Sequence, residues 1–201
     1  MENGNKELEL FLKQQTGAET VKIVDSHKLT AGAIQENWGI DVEFIGGPLA
    51  GLQELCLRMD APSKIENSRS RSEEYSCLKL AFENGIRVPE PLFLCENEDI
   101  IGRSFFVMRR IAGVADGRSV TKVYRSVEQQ NQLLLELGAT LASIHALNPS
   151  GKDFRFLKKF NIPPAVHVVS QYLDALDELP QPAPVLEWGL RWAKLNLPKQ
   201  Q

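Results

Sequence analysis

Cysteine is scarce in this sequence, and the three cysteines, Cys56, Cys77 and Cys95, stand far apart inside apolar segments. An odd count without a CxxC motif argues against a disulfide framework and against a zinc site. Free thiols are typical of a reducing compartment, so we expect a cytoplasmic protein. The N-terminus also lacks the charged-then-apolar layout of a signal peptide.

Positive charge is not in excess either, because 23 lysines and arginines face 26 aspartates and glutamates, for a net charge of -3. A nucleic-acid-binding protein would usually show a basic excess, so this class of protein is disfavoured. No apolar run approaches the roughly 20 residues that a transmembrane helix needs, so no membrane partner is expected. The remaining composition, 43% hydrophobic and 24% charged, is that of an ordinary globular protein.

Residues 29–59 carry the most informative pattern. A turn of small residues at 31–33 precedes an alternating apolar run at 40–44, and a Gly/Pro turn at 46–48 leads to a second run that includes Arg58. This order predicts a loop, a strand, a turn and a strand, with a cation near the end of the second strand. Such a hairpin can cover an anionic ligand with backbone N–H groups and meet it with the cation. A plain hairpin turn and a surface cation on an edge strand are the simpler alternatives.

The next helix offers a partner for that cation. Residues 68–84 have a helical pattern in which Glu74, Leu78 and Ala81 share one face. The two apolar residues predict that this face looks toward the sheet. A carboxylate there needs a partner, because burying it alone is costly, so we expect Glu74 to pair with Arg58. The alternative is a solvated Glu74 at the edge of the helix.

Strands come first and helices afterwards, which predicts an α+β fold of two parts, residues 1–113 and 114–201. The first part has about five antiparallel strands and one helix inserted after the third. The basic run at 69–71 is interpreted as a solvated helix start. The further elements that the sequence predicts are helices at 7–15, 126–147, 164–179 and 184–195, and strands at 21–24, 92–95 and 105–111.

Six phrases of the sequence, taken in order, resemble the aminoglycoside phosphotransferase and choline kinase-like family, which has the protein-kinase-like fold. The resemblance is closest to the branch that is also similar to the kinase-like domain of acyl-CoA dehydrogenase fusions. It implies a nucleotide-binding N-lobe over 1–113 and a partial helical C-lobe over 114–201. The phrases are LTAGAIQENW (29–38), LR (57–58), EY (74–75), VPEP (88–91), IGRSFFVM (101–108) and LASIHAL (141–147).

The resemblance implies that the nucleotide is ATP, and it gives the candidate residues their roles. Arg58 stands where related kinases place a phosphate-contacting lysine, and its planar fork can serve phosphate and Glu74 together. The small residues of the first turn would let backbone N–H groups approach the phosphates. Cys56 would border the adenine, opposite Val42 or Ile40, either of which could equally be ordinary core. The connector at 108–111 would meet the edge of the adenine, unless it is simply the end of the last strand. The candidate nucleotide-binding residues are Gly32, Ala33, Ile34, Gln35, Val42, Cys56, Arg58, Glu74, Met108, Arg109 and Ile111.

The sequence departs from the family where the chemistry would lie. The family resemblance implies a His-Gly-Asp phrase followed by Asn, a later Asp and Mg²⁺, whereas Asp153, Asp174 and Asp177 fit neither position before the sequence ends. We therefore expect the nucleotide-binding lobe of an ATP-dependent small-molecule kinase lineage, without a catalytic residue, metal ligands or turnover of its own. In the full family the phosphate goes to a small hydroxylated substrate.

Two other interpretations of the sequence stay open. A non-catalytic, pseudokinase-like module that binds nucleotide or a partner is the main alternative. An unrelated α+β domain is the least favoured. In either kinase-like case the helices after residue 126 should leave an apolar face uncovered, which predicts self-association or a partner chain.

Overall fold

The structure, a computed structural model, describes residues 4–29, 36–60, 69–113, 116–157 and 161–198 of the chain. The chain divides into two compact units, Met1–Arg155 and Phe156–Gln201. This division follows compactness alone, so the predicted boundary between lobes after residue 113 remains a prediction.

Five strands and six α-helices follow one another along the described residues. The strands form one antiparallel sheet in the order β1-β2-β3-β5-β4, and α2 is inserted after the third strand. The predicted α+β class, with a five-stranded antiparallel sheet and one inserted helix, is therefore confirmed. In chain order the elements are α1 (Asn5–Thr16), β1 (Thr20–Leu29), β2 (Glu36–Ile45), β3 (Gly51–Met59), α2 (Arg71–Glu83), β4 (Pro91–Cys95), β5 (Phe105–Arg109), α3 (Gly117–Val123), α4 (Val127–His145), a short 3₁₀ helix (Lys152–Phe154), α5 (Pro164–Asp177) and α6 (Pro184–Leu195).

The apolar core of the first unit lies on one face of the sheet. Helix α1 packs there, because Leu8, Phe11 and Leu12 fall on one side of the helix and are buried. The rings of Phe11 and Phe105 meet edge to face, with centroids 5.3 Å apart. Side chains alternate along each strand, so the residues between the core residues project to the opposite face. The fully buried strand residues of the core face are Ile40, Val42, Leu55, Leu57, Phe105 and Val107.

Strand β1 continues to Leu29, beyond the predicted strand at 21–24. The prediction stopped short because the register with β2 shifts between Ile23 and Asp25. Before the shift, Val21 and Ile23 pack with the core. After it, Asp25 and His27 pair with β2 residues of the opposite face. A bulge of this kind ends the apolar alternation while the hydrogen-bonded strand continues. The bulge therefore brings polar side chains of β1 onto the face that carries the site.

The capping residues set where the helices begin. Helix α2 begins at Arg71 rather than at the predicted residue 68, because Ser70 and Glu73 form a capping box around its first turn. Helix α3 was not predicted; it has seven residues, none of them buried, and the Asp116 side chain accepts from the backbone N–H of Ser119 at 2.8 Å. A helix so short and exposed leaves no apolar period in the sequence.

The turn between β2 and β3 contains a glycine that another residue cannot replace without strain. Gly47 has φ +76°, and a Cβ there would lie 2.9 Å from the carbonyl oxygen of Thr16. Gly51 also has a positive φ, +100°, but nothing lies within 4 Å of its Cβ position. We expect Gly47→Ala to lower the free energy of unfolding by about 2–3 kcal/mol and Gly51→Ala by about 1 kcal/mol. Urea denaturation of both variants measures the difference, and equal losses would contradict the role given to the Thr16 contact.

Helices α4, α5 and α6 have no buried residues in the part of the chain that the structure describes. Large apolar side chains such as Leu137, Trp188 and Trp192 are exposed. Self-association through such faces, or their cover by a partner chain, remains a prediction. None of the described helices has the length and apolarity that crossing a membrane requires.

Candidate functional site

A cavity of about 640 Å³ opens on the sheet face opposite the core. Its walls come from the end of β1, the start of β2, alternate residues of β3, the end of β5 and the connector at 110–113. Ligand sites for small molecules commonly have volumes of roughly 300–1,000 Å³. The cavity is therefore large enough for a ligand of nucleotide size.

Arg58 lies on the wall of this cavity, near the end of β3. Its Nη2 is 2.7 Å from Oε1 of Glu74 on α2, and its Nη1 donates to Oδ1 of Asn37 on β2 at 3.0 Å. The Arg58 and Glu74 side chains are 24% and 30% exposed, so the pair is neither fully buried nor freely solvated. The predicted pairing of Arg58 with Glu74 is confirmed. Two acceptors on different elements hold the guanidinium at the cavity wall.

A second arginine holds the other side of the Glu74 carboxylate. Arg71 is 2% exposed, so the prediction of a solvated helix start is wrong for this residue, although Arg69 is exposed. The Nε of Arg71 is 2.8 Å from Oδ1 of Asp60, and its Nη1 pairs with Oε2 of Glu74. Two carboxylates compensate the burial of this guanidinium, which would otherwise be costly. The carboxylate of Glu74 is thus fixed by one arginine on each oxygen.

Cys56 and Met108 form an apolar part of the cavity wall. They are paired across β3 and β5, and Cys56 lies two residues before Arg58 on the same face of β3. Burial raises the pKa of the Cys56 thiol, and the guanidinium groups of Arg58 and Arg110 offset that rise only in part. The thiol is therefore protonated at neutral pH, and a nucleophilic role is not supported.

Arg109, the last residue of β5, and Ile111 line the cavity, so the predicted connector at 108–111 is still strand as far as Arg109. That these residues meet a base stays a prediction. The side chain of Arg109 turns away, because its Nε is 3.2 Å from Oε2 of Glu90 and its Nη1 pairs with Gln53 on the core side of the sheet. What Arg109 offers toward the cavity is therefore mainly backbone. Ile111 is 64% exposed at the rim.

Val42 and Ile40 do not line the cavity. Both are fully buried in the core, on the face of the sheet opposite to Cys56 and Arg58. The β2 residue that does line it beside Arg58 is Asn37, which stands directly across from Arg58 in the register of the two strands. The assignment of Val42 or Ile40 to the wall is corrected accordingly. The predicted phosphate-covering residues Gly32, Ala33, Ile34 and Gln35 lie outside the described residues.

Metal ligands were not predicted in this chain. Within the described ranges, no group of three or more His, Cys, Asp or Glu side chains is placed to hold a metal ion.

A five-stranded antiparallel sheet, an inserted helix whose glutamate meets a cation on the third strand, and a cavity against the connector together define a kinase-like N-lobe. The family model described as "Phosphotransferase enzyme family" (APH) matches residues 42–201. The chain belongs to this family, and the predicted resemblance is confirmed.

Curated relatives point to the predicted branch. Acyl-CoA dehydrogenase family member 11 of Homo sapiens is 29% identical over 99 residues, which are 49% of this chain and 13% of that protein. The Rattus norvegicus protein of the same name is 32% identical over 100 residues, again 49% of this chain and 13% of that protein. Acyl-CoA dehydrogenase family member 10 of Mus musculus is 24% identical over 159 residues, 76% of this chain and 14% of that protein. The chain thus corresponds to a small part of these relatives.

A solved structure has the same fold. It is a putative aminoglycoside phosphotransferase from Ralstonia eutropha JMP134, with a TM-score of 0.57 and 16% identity. The match covers 97% of this chain and 54% of that one. At this identity the likeness establishes the fold and leaves the ligand open.

Proposed function

We propose that the cavity beside Arg58 binds ATP, and that this chain is the nucleotide-binding part of a phosphotransferase acting on a small hydroxylated molecule. The observation that carries the proposal is the Arg58–Glu74 pair, 2.7 Å apart, on the wall of a cavity of about 640 Å³. Membership of the phosphotransferase family supports the same conclusion.

In this proposal Arg58 binds the phosphates. A guanidinium is always charged, and it presents several N–H donors in one plane, which suits phosphate oxygens. Asn37 and Glu74 hold that plane in place, so little conformational entropy is lost when the anion arrives. The prediction that Gly32, Ala33, Ile34 and Gln35 give backbone N–H groups to the phosphates belongs to this proposal.

The base would lie further along β3, against Cys56 and Met108. These side chains offer an apolar surface next to the connector, whose backbone N–H and C=O groups are suited to the polar edge of a purine. One such group is already used, because the N–H of Arg110 donates to the carbonyl of Glu54 at 3.1 Å. Met108, Arg109 and Ile111 thus form the connector side of the base site in this proposal.

Thermal denaturation in the presence of ATP tests the proposal. A ligand that binds only the folded state stabilises it by about 2.7 kcal/mol at a concentration 100 times its dissociation constant. We expect millimolar ATP to raise the midpoint of unfolding, and to raise it equally in Arg191→Met, which removes an exposed paired arginine of α6. An unchanged midpoint in both proteins would contradict the proposal. Phosphoryl transfer by this chain alone to polyols, amino sugars or choline would contradict the expectation that it has no turnover of its own.

A further inference from the structure

A second guanidinium on the cavity wall is not explained by phosphate binding. Arg110, in the connector after β5, reaches back over the sheet, where its Nη2 is 2.7 Å from Oδ1 of Asp41 on β2 and 2.6 Å from Oε1 of Glu54 on β3. Its side chain is only 17% exposed. One residue of the connector is therefore tied to two strands of the sheet by charged hydrogen bonds.

The guanidinium covers the one glycine of this part of β2. A Cβ on Gly39 would lie 2.9 Å from Nη1 of Arg110 and 2.7 Å from Nε2 of His27. Gly39 stands across from Cys56 in the register, so it belongs to the cavity face, yet it does not line the cavity. Arg110 and His27 thus occupy the space that the missing side chain leaves.

Arg110 also lies at a defined end of the cavity. Glu54, Cys56 and Arg58 alternate along the same face of β3, with Arg110 bound to Glu54 at one end and Glu74 bound to Arg58 at the other. Four residues of a strand span roughly 13 Å, so the two guanidinium groups mark opposite ends of the site.

We propose that Arg110 is a specificity-determining residue, which closes the base end of the cavity over Gly39 and holds the carboxylate of Glu54 toward the edge of the bound base. The proposal rests on the proposed function, since the phosphates at Arg58 decide which end holds the base. It goes beyond that function in giving Arg110, Gly39 and Glu54 a role in selecting the base.

Two properties of the Arg110–Glu54 pair make it selective. Nη2 of Arg110 already donates to Asp41 and Glu54, and Nη1 is buried. The carboxylate of Glu54 is 69% exposed and accepts hydrogen bonds, so bases that differ in the donors along their edges meet this end differently. The position of the guanidinium is fixed, because two carboxylates hold it and a glycine gives it room. A lysine has no planar fork and cannot bind both carboxylates in the same way.

The test compares three probes: ATP, GTP and inorganic tripolyphosphate, which carries the anion without a base. Calorimetric titration at physiological salt is applied to the wild-type chain and to Arg110→Met, Arg110→Lys and Gly39→Ala, with Arg191→Met as the control. Salt screens the charge lost in Arg110→Met or Arg191→Met beyond roughly 8 Å, and Arg110→Lys and Gly39→Ala leave the net charge unchanged, so tripolyphosphate at Arg58 should bind to all five proteins alike.

We expect Arg110→Met to weaken ATP binding by about tenfold, because losing a charged hydrogen bond typically changes an affinity by about that factor. The ratio of the ATP affinity to the GTP affinity should move closer to one. Gly39→Ala should act in the same direction, since its Cβ displaces the guanidinium, and Arg110→Lys should recover little. In Arg110→Met the carboxylate of Asp41 loses its arginine, which could destabilise the chain. The double variant Arg110→Met/Asp41→Asn removes that unpaired charge and should show the same loss of ATP affinity.

The outcomes separate the two proposals. If the wild-type chain binds neither ATP nor tripolyphosphate, the proposed function fails and this inference fails with it. If the wild-type chain binds ATP, and the Arg110 and Gly39 variants keep the wild-type ratios of ATP affinity to GTP affinity and to tripolyphosphate affinity, the proposed function stands. The role of Arg110 is then overturned.

Discussion

Arg58→Met is expected to weaken ATP binding by about 100-fold, because it removes the positive charge that meets the phosphates at the cavity wall. The fold should persist, since Glu74 keeps Arg71 as a partner when Arg58 is lost. Calorimetric titration measures the affinity, and far-ultraviolet circular dichroism checks that the variant is folded.

Arg58→Lys separates charge from geometry in that experiment. A lysine keeps the charge but offers a single ammonium, which cannot serve Asn37, Glu74 and a phosphate in one plane as the guanidinium does. Its affinity for ATP should fall between those of the wild-type chain and Arg58→Met. If Arg58→Met binds ATP as tightly as the wild-type chain, the nucleotide binds elsewhere on the chain.

Arg71→Met is expected to lower the free energy of unfolding by about 2–4 kcal/mol, because it leaves Asp60 and one oxygen of Glu74 without their cation. The figure is set below that for a fully buried pair, since both carboxylates are 30% exposed and water screens them. Urea denaturation at constant pH measures the loss.

Arg69→Met provides a matched control, two residues earlier in the same basic run. Its side chain is exposed, so its replacement should change the free energy of unfolding by only about 0.5 kcal/mol. Equal effects of the two substitutions would restore the interpretation of the whole run as a solvated helix start.

The sequence predicts the sheet well where its pattern is local. The alternation at 40–44 and the Gly/Pro turn at 46–48 predict the β2–β3 hairpin, and Ser126 marks the start of α4, whose first turn it caps. The second half of β1 could not be predicted in this way. Residues 25–28, after the bulge, are polar, and strand pairing there depends on β2 rather than on any pattern in β1 itself.

The Arg58–Glu74 pair could be predicted because the sequence pattern shows both the helix face that carries Glu74 and the strand end that carries Arg58. Arg71 could not, because its burial depends on Asp60, which arrives from the end of β3 across a separate segment of the chain. A run of Arg-Ser-Arg at a helix start looks the same whether it is solvated or paired.

Asn37 could have been found from the hairpin alone. The alternation that places Cys56 and Arg58 on one face gives the other face to the apolar residues Val42 and Ile40, and the register then puts Asn37 opposite Arg58. Val42 was predicted to line the site because it is apolar. The apolar face of a strand in an antiparallel sheet usually packs in the core, as Val42 does here. Arg110 gave no signal, because nothing in the connector shows that it folds back to Asp41 and Glu54.

Photolabelling with 8-azido-ATP, followed by identification of the labelled peptides, tests most directly whether the nucleotide lies between Arg58 and the connector. The expected result is light-dependent labelling in peptides from β3 or from residues 105–113, suppressed by ATP and much reduced in Arg58→Met. Labelling that ATP does not suppress, or that falls in α5 or α6, would contradict the placement of ATP in this cavity.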